Sequence, residues 1–282
     1  MFFTTRGNGA TMRPMSDETK KWTVTRIANA KGQERIAALT AYDYTTARWV
    51  DAAGIPVILV GDSLGMTLLG YDSTIPVTVD EMVHHTKAVV RGVKSALVVA
   101  DMPFLSYQVT LDQAVANAGR LIKETGADAV KIEGGAFRAE TVRHLIANGI
   151  PVMGHIGLTP QSVRAFGGYK VQGRTDAASA SLKTDAIALA EAGVFSLVLE
   201  AMPAEVAGEI TESIAVPTIG IGAGPKCDGQ VLVVHDMLGL SGEFDPKFIK
   251  RYAELGETML DAFATYKADV ERGAFPAAEH SY

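Results

Sequence analysis

Cysteine is almost absent from this chain of 282 residues, which contains only Cys227. A single cysteine cannot form an intrachain disulfide, which fits a reducing cytosol. Long apolar runs are also missing, because no stretch reaches the roughly 18 residues that a membrane span requires. No cleavage pattern follows the apolar start Met1-Phe2-Phe3. The sequence therefore predicts a soluble, cytoplasmic protein.

An excess of positive charge is missing as well. The 26 lysines and arginines are outnumbered by 32 aspartates and glutamates, so the formal net charge is −6. Nucleic acids and anionic membranes are bound through basic surfaces. We therefore expect no nucleic-acid or membrane partner and favour small-molecule substrates. Hydrophobic residues make up 48% of the chain and charged residues 21%, which is typical of a globular protein with a large core.

Short apolar runs alternate with longer segments of helical spacing along most of the chain. The runs are rich in Val, Ile and Leu without alternation, which is typical of parallel strands buried on both faces. Eight strands are predicted, at 36–43, 57–63, 96–103, 129–135, 152–158, 196–203, 217–224 and 230–236. Amphipathic helices are predicted at 111–124, 139–148 and 184–192, each followed by a glycine that can end a helix.

Eight βα units without a linker favour a single closed (β/α)8 TIM barrel over a doubly wound sheet. We predict that this domain spans residues 24–282. It includes helical segments at about 245–273, which are expected to pack on the barrel or on another subunit. Residues 1–23 are polar and mixed without clear periodicity, so a flexible N-terminal arm is predicted there.

Four of the predicted strands carry an acidic residue at the end of their apolar run, and three of these strands are neighbours. Asp62, Asp101 and Glu133 close the apolar runs of the second, third and fourth strands, whose carboxyl ends meet at one mouth of a barrel. Hard oxygen donors without nearby histidine or cysteine suit Mg2+, so we predict a magnesium site. Each acid also has a structural alternative, as a helix cap, a turn residue before Pro103, or an ion pair with Lys131.

Three further polar residues are expected near this mouth. Lys131 lies two residues before Glu133 and points to the same side, where the acids would keep its pKa high and suit it to stabilise an enolate oxygen. A Schiff base and a plain ion pair are the alternatives. Glu200 follows the sixth strand, across the mouth, and is the candidate general base, unless it only caps a turn. His155 is either a substrate contact or a buried structural histidine.

A series of motifs runs in order along residues 35–281. The motifs include LTAYDY at 39–44, VGDSLGM at 60–66, ADMPF at 100–104, VKIEGG at 130–135, GHIGLTPQS at 154–162 and DGQVL at 228–232. Together they resemble the ketopantoate hydroxymethyltransferase family. The resemblance implies a barrel of the phosphoenolpyruvate mutase and isocitrate lyase superfamily and a homodecamer. Thr175 departs from the pattern, because many relatives have glycine there.

The resemblance also implies a reaction. A hydroxymethyl group would be transferred from 5,10-methylenetetrahydrofolate to 3-methyl-2-oxobutanoate, giving 2-dehydropantoate and tetrahydrofolate in pantothenate synthesis. Two sets of residues would correspond to those of the family, the Mg2+ ligands Asp62, Asp101 and Glu133 and the oxoacid contacts Asp62, Ser63, Asp101 and Lys131. Glu200 would be the general base that removes the C3 proton and leaves an enolate.

Two rival functions remain open at the level of sequence. One is a lyase or mutase of the same superfamily, which a catalytic cysteine motif would favour. The other is a non-catalytic barrel that senses an oxoacid, against which a complete set of candidate metal ligands and base argues.

Overall fold

The computed structural model describes residues 20–242 and 246–282. Eight parallel strands form a closed barrel, in which each strand pairs with the next and the eighth pairs with the first. They are β1 Ile36–Thr40, β2 Val57–Val60, β3 Leu97–Asp101, β4 Ala129–Glu133, β5 Val152–Gly157, β6 Ser196–Glu200, β7 Thr218–Ile221 and β8 Gly229–Leu232. The barrel prediction is confirmed, and each strand stops short of the C-terminal end of the predicted run.

Helices alternate with these strands in the described part of the chain. They are α1 Val24–Asn29, α2 Tyr44–Ala52, α3 Leu64–Thr67, α4 Val79–Gly92, α5 Leu111–Thr125, α6 Ala139–Ala147, α7 Val163–Phe166, α8 Asp176–Ala192, α9 Ala204–Ser213, α10 Val234–Met237 and α11 Leu255–Glu271. Short 3-10 turns lie at Ala136–Arg138, Pro160–Ser162 and Ala278–His280. Within the described ranges, no helix combines the length and apolar character needed to cross a bilayer.

The helix predictions differ from the structure mainly at the start of α8. The helix predicted from residue 184 begins at Asp176, because the Thr175 hydroxyl caps it by accepting from Ala178 N. Its first turns carry alanine and serine rather than an apolar stripe, so they have no periodic signal. The predictions of α5 and α6 are confirmed, and the glycines after α5, α6 and α8 have positive φ, as helix stops do.

Side chains alternate along the strands between the barrel interior and the surrounding helices. In β2, Val57 and Leu59 belong to the inner core, whereas Ile58 and Val60 belong to the outer core under the helices. In β3, Leu97 and the residues at every second position after it share the inner side. Because this period of two continues to the strand ends, polar residues there project into the mouth of the barrel.

Strand register determines which of these polar residues are neighbours. Asp101 of β3 pairs with Lys131 of β4, and Glu133 of β4 pairs with His155 of β5. Glu200 lies one strand further, at the end of β6, where it pairs with Gly157. The order of strands in the barrel therefore places the predicted site residues along one arc of the mouth.

The opposite end of the barrel is closed by the start of the described chain. Ile27 and Ala30, in and just after α1, belong to the inner core, and Trp22 packs against it. Trp22 N also donates to Ser95 O over 2.7 Å. The arm predicted for residues 1–23 otherwise lies outside the described residues.

Candidate active site

A cluster of charged side chains is buried at the carboxyl ends of β2 to β6. Asp62, Asp101, Lys131, Glu133 and His155 are each at most 5% exposed. Ionised groups avoid the protein interior unless they are paired or bind a ligand. The structure thus brings the predicted residues together in a place where their charges must be compensated.

Lys131 lies at the centre of this cluster. Its Nζ is 3.2 Å from Asp101 Oδ1, 3.7 Å from Glu133 Oε1 and 3.1 Å from His155 Nδ1. Burial lowers the pKa of Lys131, but the charges of Asp101, Glu133 and Asp62 outweigh it, and the net pKa is raised. The expectation of a high pKa is confirmed. Because a protonated amine is not a nucleophile, the geometry favours charge stabilisation over a Schiff base.

Asp62 and Asp101 approach each other closely. Asp62 N donates to Asp101 Oδ2 over 3.1 Å. Burial, followed by the charges of Asp101 and Glu133, raises the pKa of Asp62 well above its usual value. The pKa of Asp101 is also raised, chiefly by burial, although Lys131 opposes the rise. Asp62 does not cap the following helix with its side chain, since its Oδ2 accepts from Gln161. Asp101 does not hold the turn before Pro103 with its side chain, which faces Lys131 instead.

His155 joins the acids of the cluster to Glu200. Its Nδ1 lies 3.4 Å from Glu133 Oε1, and its Nε2 lies 3.1 Å from Glu200 Oε2. Burial and the charge of Lys131 lower the pKa of His155, but the contacts with the two carboxylates prevail and raise it to about 9. Burial raises the pKa of Glu133, but the hydrogen bond with His155 and the charges of Lys131 and His155 outweigh it and lower the pKa. The two carboxylates thus favour the charged form of His155, and the contact of its Nε2 orients Glu200.

Glu200 is the most accessible acid of the group, with a side chain 17% exposed. The chain turns sharply after it, because Ala201 has a φ of 46°, which is unusual for a residue other than glycine. Two main-chain bonds fix this turn, from Leu158 N to Glu200 O and from Ala201 N to Ile221 O, both 2.9 Å long. The carboxylate is thus presented to the mouth from a rigid support.

Ser63 stands at the start of α3, next to Asp62. Its side chain makes no capping bond to the helix and instead lies 2.8 Å from the hydroxyl of Tyr42. Tyr42 is fully buried, and burial raises its pKa to about 12, so it stays protonated. The Ser63 hydroxyl therefore has a fixed neighbour on one side and remains available to a ligand on the other.

Sequence reasoning missed three residues of the site, Tyr42, Tyr107 and Gln161. All three are buried, and each bonds to a predicted site residue or to another of the three. Tyr42 and Gln161 fall within the motifs at 39–44 and 154–162, which was the available signal. No periodicity marks them, because their partners lie on other strands.

A loop between α7 and α8 reaches over the mouth. Tyr169 OH is 3.4 Å from Met66 Sδ on the far side. Burial raises the pKa of Tyr169, as do the charges of Glu200, Asp62 and Glu133, which shows how near the ring is to the cluster. The loop is therefore placed to cover a bound ligand.

The donors of the cluster fit a hard cation. Three carboxylates share one buried site, and burial together with the neighbouring negative charges disfavours the ionised forms of Asp62 and Asp101. Among the described residues, the buried Asp101 Oδ1 has only the Lys131 ammonium beside it, 3.2 Å away. Gly61 leaves room beside it, since an added Cβ would come within 2.8 Å of Ser63 Oγ and 3.5 Å of Asp101 Oδ2. The side chains are nevertheless not preset as a closed shell: in the part of the chain that is described, no three His, Cys, Asp or Glu residues form a ready metal cluster.

Comparison with known proteins supports an enzymatic site. The family model for ketopantoate hydroxymethyltransferase matches residues 21–278. The chain is 61% identical over 249 residues to 3-methyl-2-oxobutanoate hydroxymethyltransferase of Moorella thermoacetica, covering 88% of this chain and 93% of the relative. It is 56% identical over 260 residues to the enzyme of the same name from Syntrophobacter fumaroxidans, covering 92% of both chains.

Solved structures show a similar fold at low identity. A phosphoenolpyruvate phosphomutase from Streptomyces platensis superposes with a TM-score of 0.60 at 13% identity, covering 89% of this chain and 88% of that one. A 2,3-dimethylmalate lyase, described as a member of the PEP mutase/isocitrate lyase superfamily, gives 0.57 at 15% identity, with 92% and 91% covered. A phosphonopyruvate hydrolase solved with oxalate and Mg2+ gives 0.58 at 14%, with 92% and 93% covered.

Proposed function

The chain belongs to the ketopantoate hydroxymethyltransferase family and is an enzyme, and from this premise we propose its reaction. It transfers a hydroxymethyl group from 5,10-methylenetetrahydrofolate to 3-methyl-2-oxobutanoate, giving 2-dehydropantoate and tetrahydrofolate in pantothenate synthesis. The observation that carries the proposal is the buried cluster of Asp62, Asp101, Lys131 and Glu133, with Glu200 beside it at the open side of the mouth.

In this proposal Asp62, Asp101 and Glu133 hold Mg2+, which when bound supplies a Lewis acid for the substrate oxygens. The three carboxylates support this role by their oxygen chemistry and their need for compensating charge. The Ser63 hydroxyl donates to the substrate carboxylate. Lys131, kept protonated by its neighbours, faces the negative charge that develops on the ketone oxygen.

Glu200 acts as the general base. It takes the proton from C3 of the oxoacid, and the electron pair of that C–H bond moves toward the ketone oxygen as an enolate forms. Water adds to the one-carbon unit and both of its C–N bonds to the folate break, which leaves tetrahydrofolate and formaldehyde. C3 of the enolate then forms a bond to the formaldehyde carbon, the electron pair of that C=O bond moves to its oxygen, and the oxygen takes up a proton to become the new hydroxyl group. His155, 3.1 Å from Glu200, orients the carboxylate for both proton removal and proton return.

The test is exchange of the C3 hydrogen of 3-methyl-2-oxobutanoate with deuterium, together with product formation when the folate is added. We expect exchange without folate and its loss on addition of a chelator. Glu200→Gln should lower the exchange rate by about 10²- to 10⁴-fold, while oxoacid binding measured by calorimetry persists. Glu205→Gln, at an exposed acid in the first turn of α9, is the matched control. Exchange by Glu200→Gln at the wild-type rate would show that Glu200 is not the base.

The rival lyase or mutase activity has no support at the mouth. Cys227 is buried next to the start of β8, at the opposite end of the barrel, and burial raises the pKa of its thiol. It is thus neither placed nor activated as a nucleophile.

We further propose that the enzyme is a homo-oligomer, which by the family resemblance is a decamer. Support comes from α11, whose apolar residues contact solvent in the single chain. The cytoplasmic location and the flexibility of the arm at 1–23 stay predictions.

A further inference from the structure

Gln161 connects the ends of three strands to one another. It lies in the 3-10 turn after β5 and is 5% exposed. Its side-chain Nε2 donates to Asp62 Oδ2 and to Met102 O, both over 2.9 Å. Its main-chain N donates to Glu133 Oε2 over 3.1 Å. One residue thus contacts two of the three clustered carboxylates.

The orientation of the Gln161 amide follows from the chemistry of its partners. A carboxylate and a carbonyl can only accept, so the amide NH2 must face Asp62 and Met102. The other end, Oε1, accepts from Tyr107 OH over 2.7 Å and from Gln108 Nε2 over 3.1 Å. Tyr107 OH in turn accepts from Glu133 N over 3.0 Å. Its hydrogen has two acceptors, Gln161 Oε1 at 2.7 Å and Glu133 O at 3.2 Å, of which Gln161 is the nearer. Buried networks with every partner satisfied are rigid.

In each of the three carboxylates, one oxygen accepts a hydrogen bond from a neutral donor. Asp62 Oδ2 is bound by Gln161 Nε2, Glu133 Oε2 by Gln161 N, and Asp101 Oδ2 by the main-chain N of Asp62. Every one of these donors is neutral, so none of them compensates a carboxylate charge. The remaining oxygens are left for charged partners. Asp101 Oδ1 lies 3.2 Å and Glu133 Oε1 3.7 Å from Lys131 Nζ.

We propose that Gln161 is a positioning residue for the cation site: its side chain fixes the rotation of the Asp62 carboxylate so that a single oxygen of Asp62 is offered to a divalent cation. This inference rests on the proposed function, since it assumes that the cluster binds a cation. In this proposal the side chain of Gln161 acts through Asp62 alone, because its contact to Glu133 is made by the main chain and is independent of the side chain.

The size of the effect follows from what such a contact does in metal sites. Removal of a residue that hydrogen-bonds a ligating carboxylate and orients it typically lowers the metal affinity about 10- to 100-fold. Without the amide, the Asp62 carboxylate loses the side-chain hydrogen bond that fixes its rotation. Binding of the cation must then also restrict this rotation, which weakens it.

The experiment measures Mn2+ affinity of the substrate-free protein by the electron paramagnetic resonance signal of free Mn2+. Mn2+ is used because it prefers the same oxygen donors as Mg2+ and is directly visible. Gln161→Met keeps the length of the side chain but removes the donor and the acceptor, and it should raise the dissociation constant about 10- to 100-fold. Gln161→Asn is a second variant that keeps an amide too short to reach both partners, and it should raise the constant at least tenfold.

Gln108→Met is the matched control, because Gln108 contacts the same amide oxygen but no carboxylate. It should leave the dissociation constant within about threefold, as Tyr107 still orients the amide. The thermal midpoint of each variant reports folding, and the Asn variant alone decides if the Met variant is unfolded. A folded Gln161 variant that binds Mn2+ as tightly as the wild type overturns the inference. A wild-type protein that binds no Mn2+ contradicts the proposed cation site itself, which separates the two failures.

Discussion

Gly157 shows how a single residue without a side chain supports the catalytic site. It ends β5 with a φ of 94°, in the left-handed region that favours glycine. A Cβ at this position would lie 2.2 Å from Glu200 O and 2.8 Å from Met202 Cε. The main chains of β5 and β6 can therefore approach each other here only without a side chain, and this approach sets the position of Glu200.

We expect Gly157→Ala to displace Glu200 and to destabilise the fold. The free energy of unfolding should fall by about 3 kcal/mol or more, because the collision is with main chain and adds to the strained φ. Gly149→Ala is the control, since Gly149 has a φ of 79° but nothing within 4 Å of an added Cβ. It should cost about 1–2 kcal/mol from backbone strain alone and leave C3 exchange unchanged. Urea titration and the exchange assay measure both effects, and equal losses in the two variants would contradict this view.

At the scale of elements, Asp51 joins the end of α2 to the entry of β3. Its two carboxylate oxygens accept from Lys94 N, Ser95 N, Ser95 Oγ and Ala96 N, at 2.7–3.0 Å. Burial raises the pKa of Asp51, but these hydrogen bonds outweigh it and hold the pKa below its usual value. An ionised side chain at the end of α2 thus holds the main-chain N–H groups just before β3.

This linkage predicts a pH dependence of stability. Because the pKa of Asp51 is lower in the folded than in the unfolded state, its contribution is complete above about pH 4 and is lost as the pH falls through the folded value. Asp51→Ala should lower the free energy of unfolding by about 2–4 kcal/mol at pH 7. The difference in the free energy of unfolding between Asp51→Ala and the wild type should become smaller in acid. Urea unfolding between about pH 3 and 7 measures it. Asp72→Ala, at an exposed acid, should change little; a deficit for Asp51→Ala that stayed constant with pH would refute the linkage.

At the scale of the whole molecule, α11 stands apart from the barrel. None of its residues is buried, and its attachment is through its first turn, where Leu255 N donates to Leu238 O. An apolar stripe recurs at three- and four-residue spacing along it, formed by Leu255, Met259, Phe263, Tyr266 and Val270, each at least 36% exposed. An exposed apolar stripe of this kind is typical of an interaction surface, and it is the observation that supports the proposed oligomer.

We predict that a charged side chain on the apolar stripe of α11 disrupts the proposed homo-oligomer. Phe263→Glu should shift the protein to a smaller species in sedimentation velocity, because a carboxylate would have to be buried without a partner. Thr265→Glu introduces the same charge on the opposite side of the helix and should sediment like the wild type. An unchanged sedimentation coefficient for Phe263→Glu would show that α11 is not part of the interface.

The amino-acid sequence by itself determined the barrel, the eight strands and the acids at their ends. Burial is encoded locally, by apolar runs and by the residues that stop them, and the closed order of parallel strands then brings those ends to one mouth. Residue types alone also indicated oxygen chemistry at Asp62, Asp101 and Glu133.

Only the tertiary structure decided which side chains meet there. Gln161 bonds to Asp62 across 99 residues of chain, and Tyr42, just after β1, contacts Ser63, just after β2. Such pairs depend on strand register and on closure of the barrel, which no local pattern records. The sequence also could not predict whether α11 packs on its own barrel or on another subunit, because the apolar stripe has the same spacing in both cases.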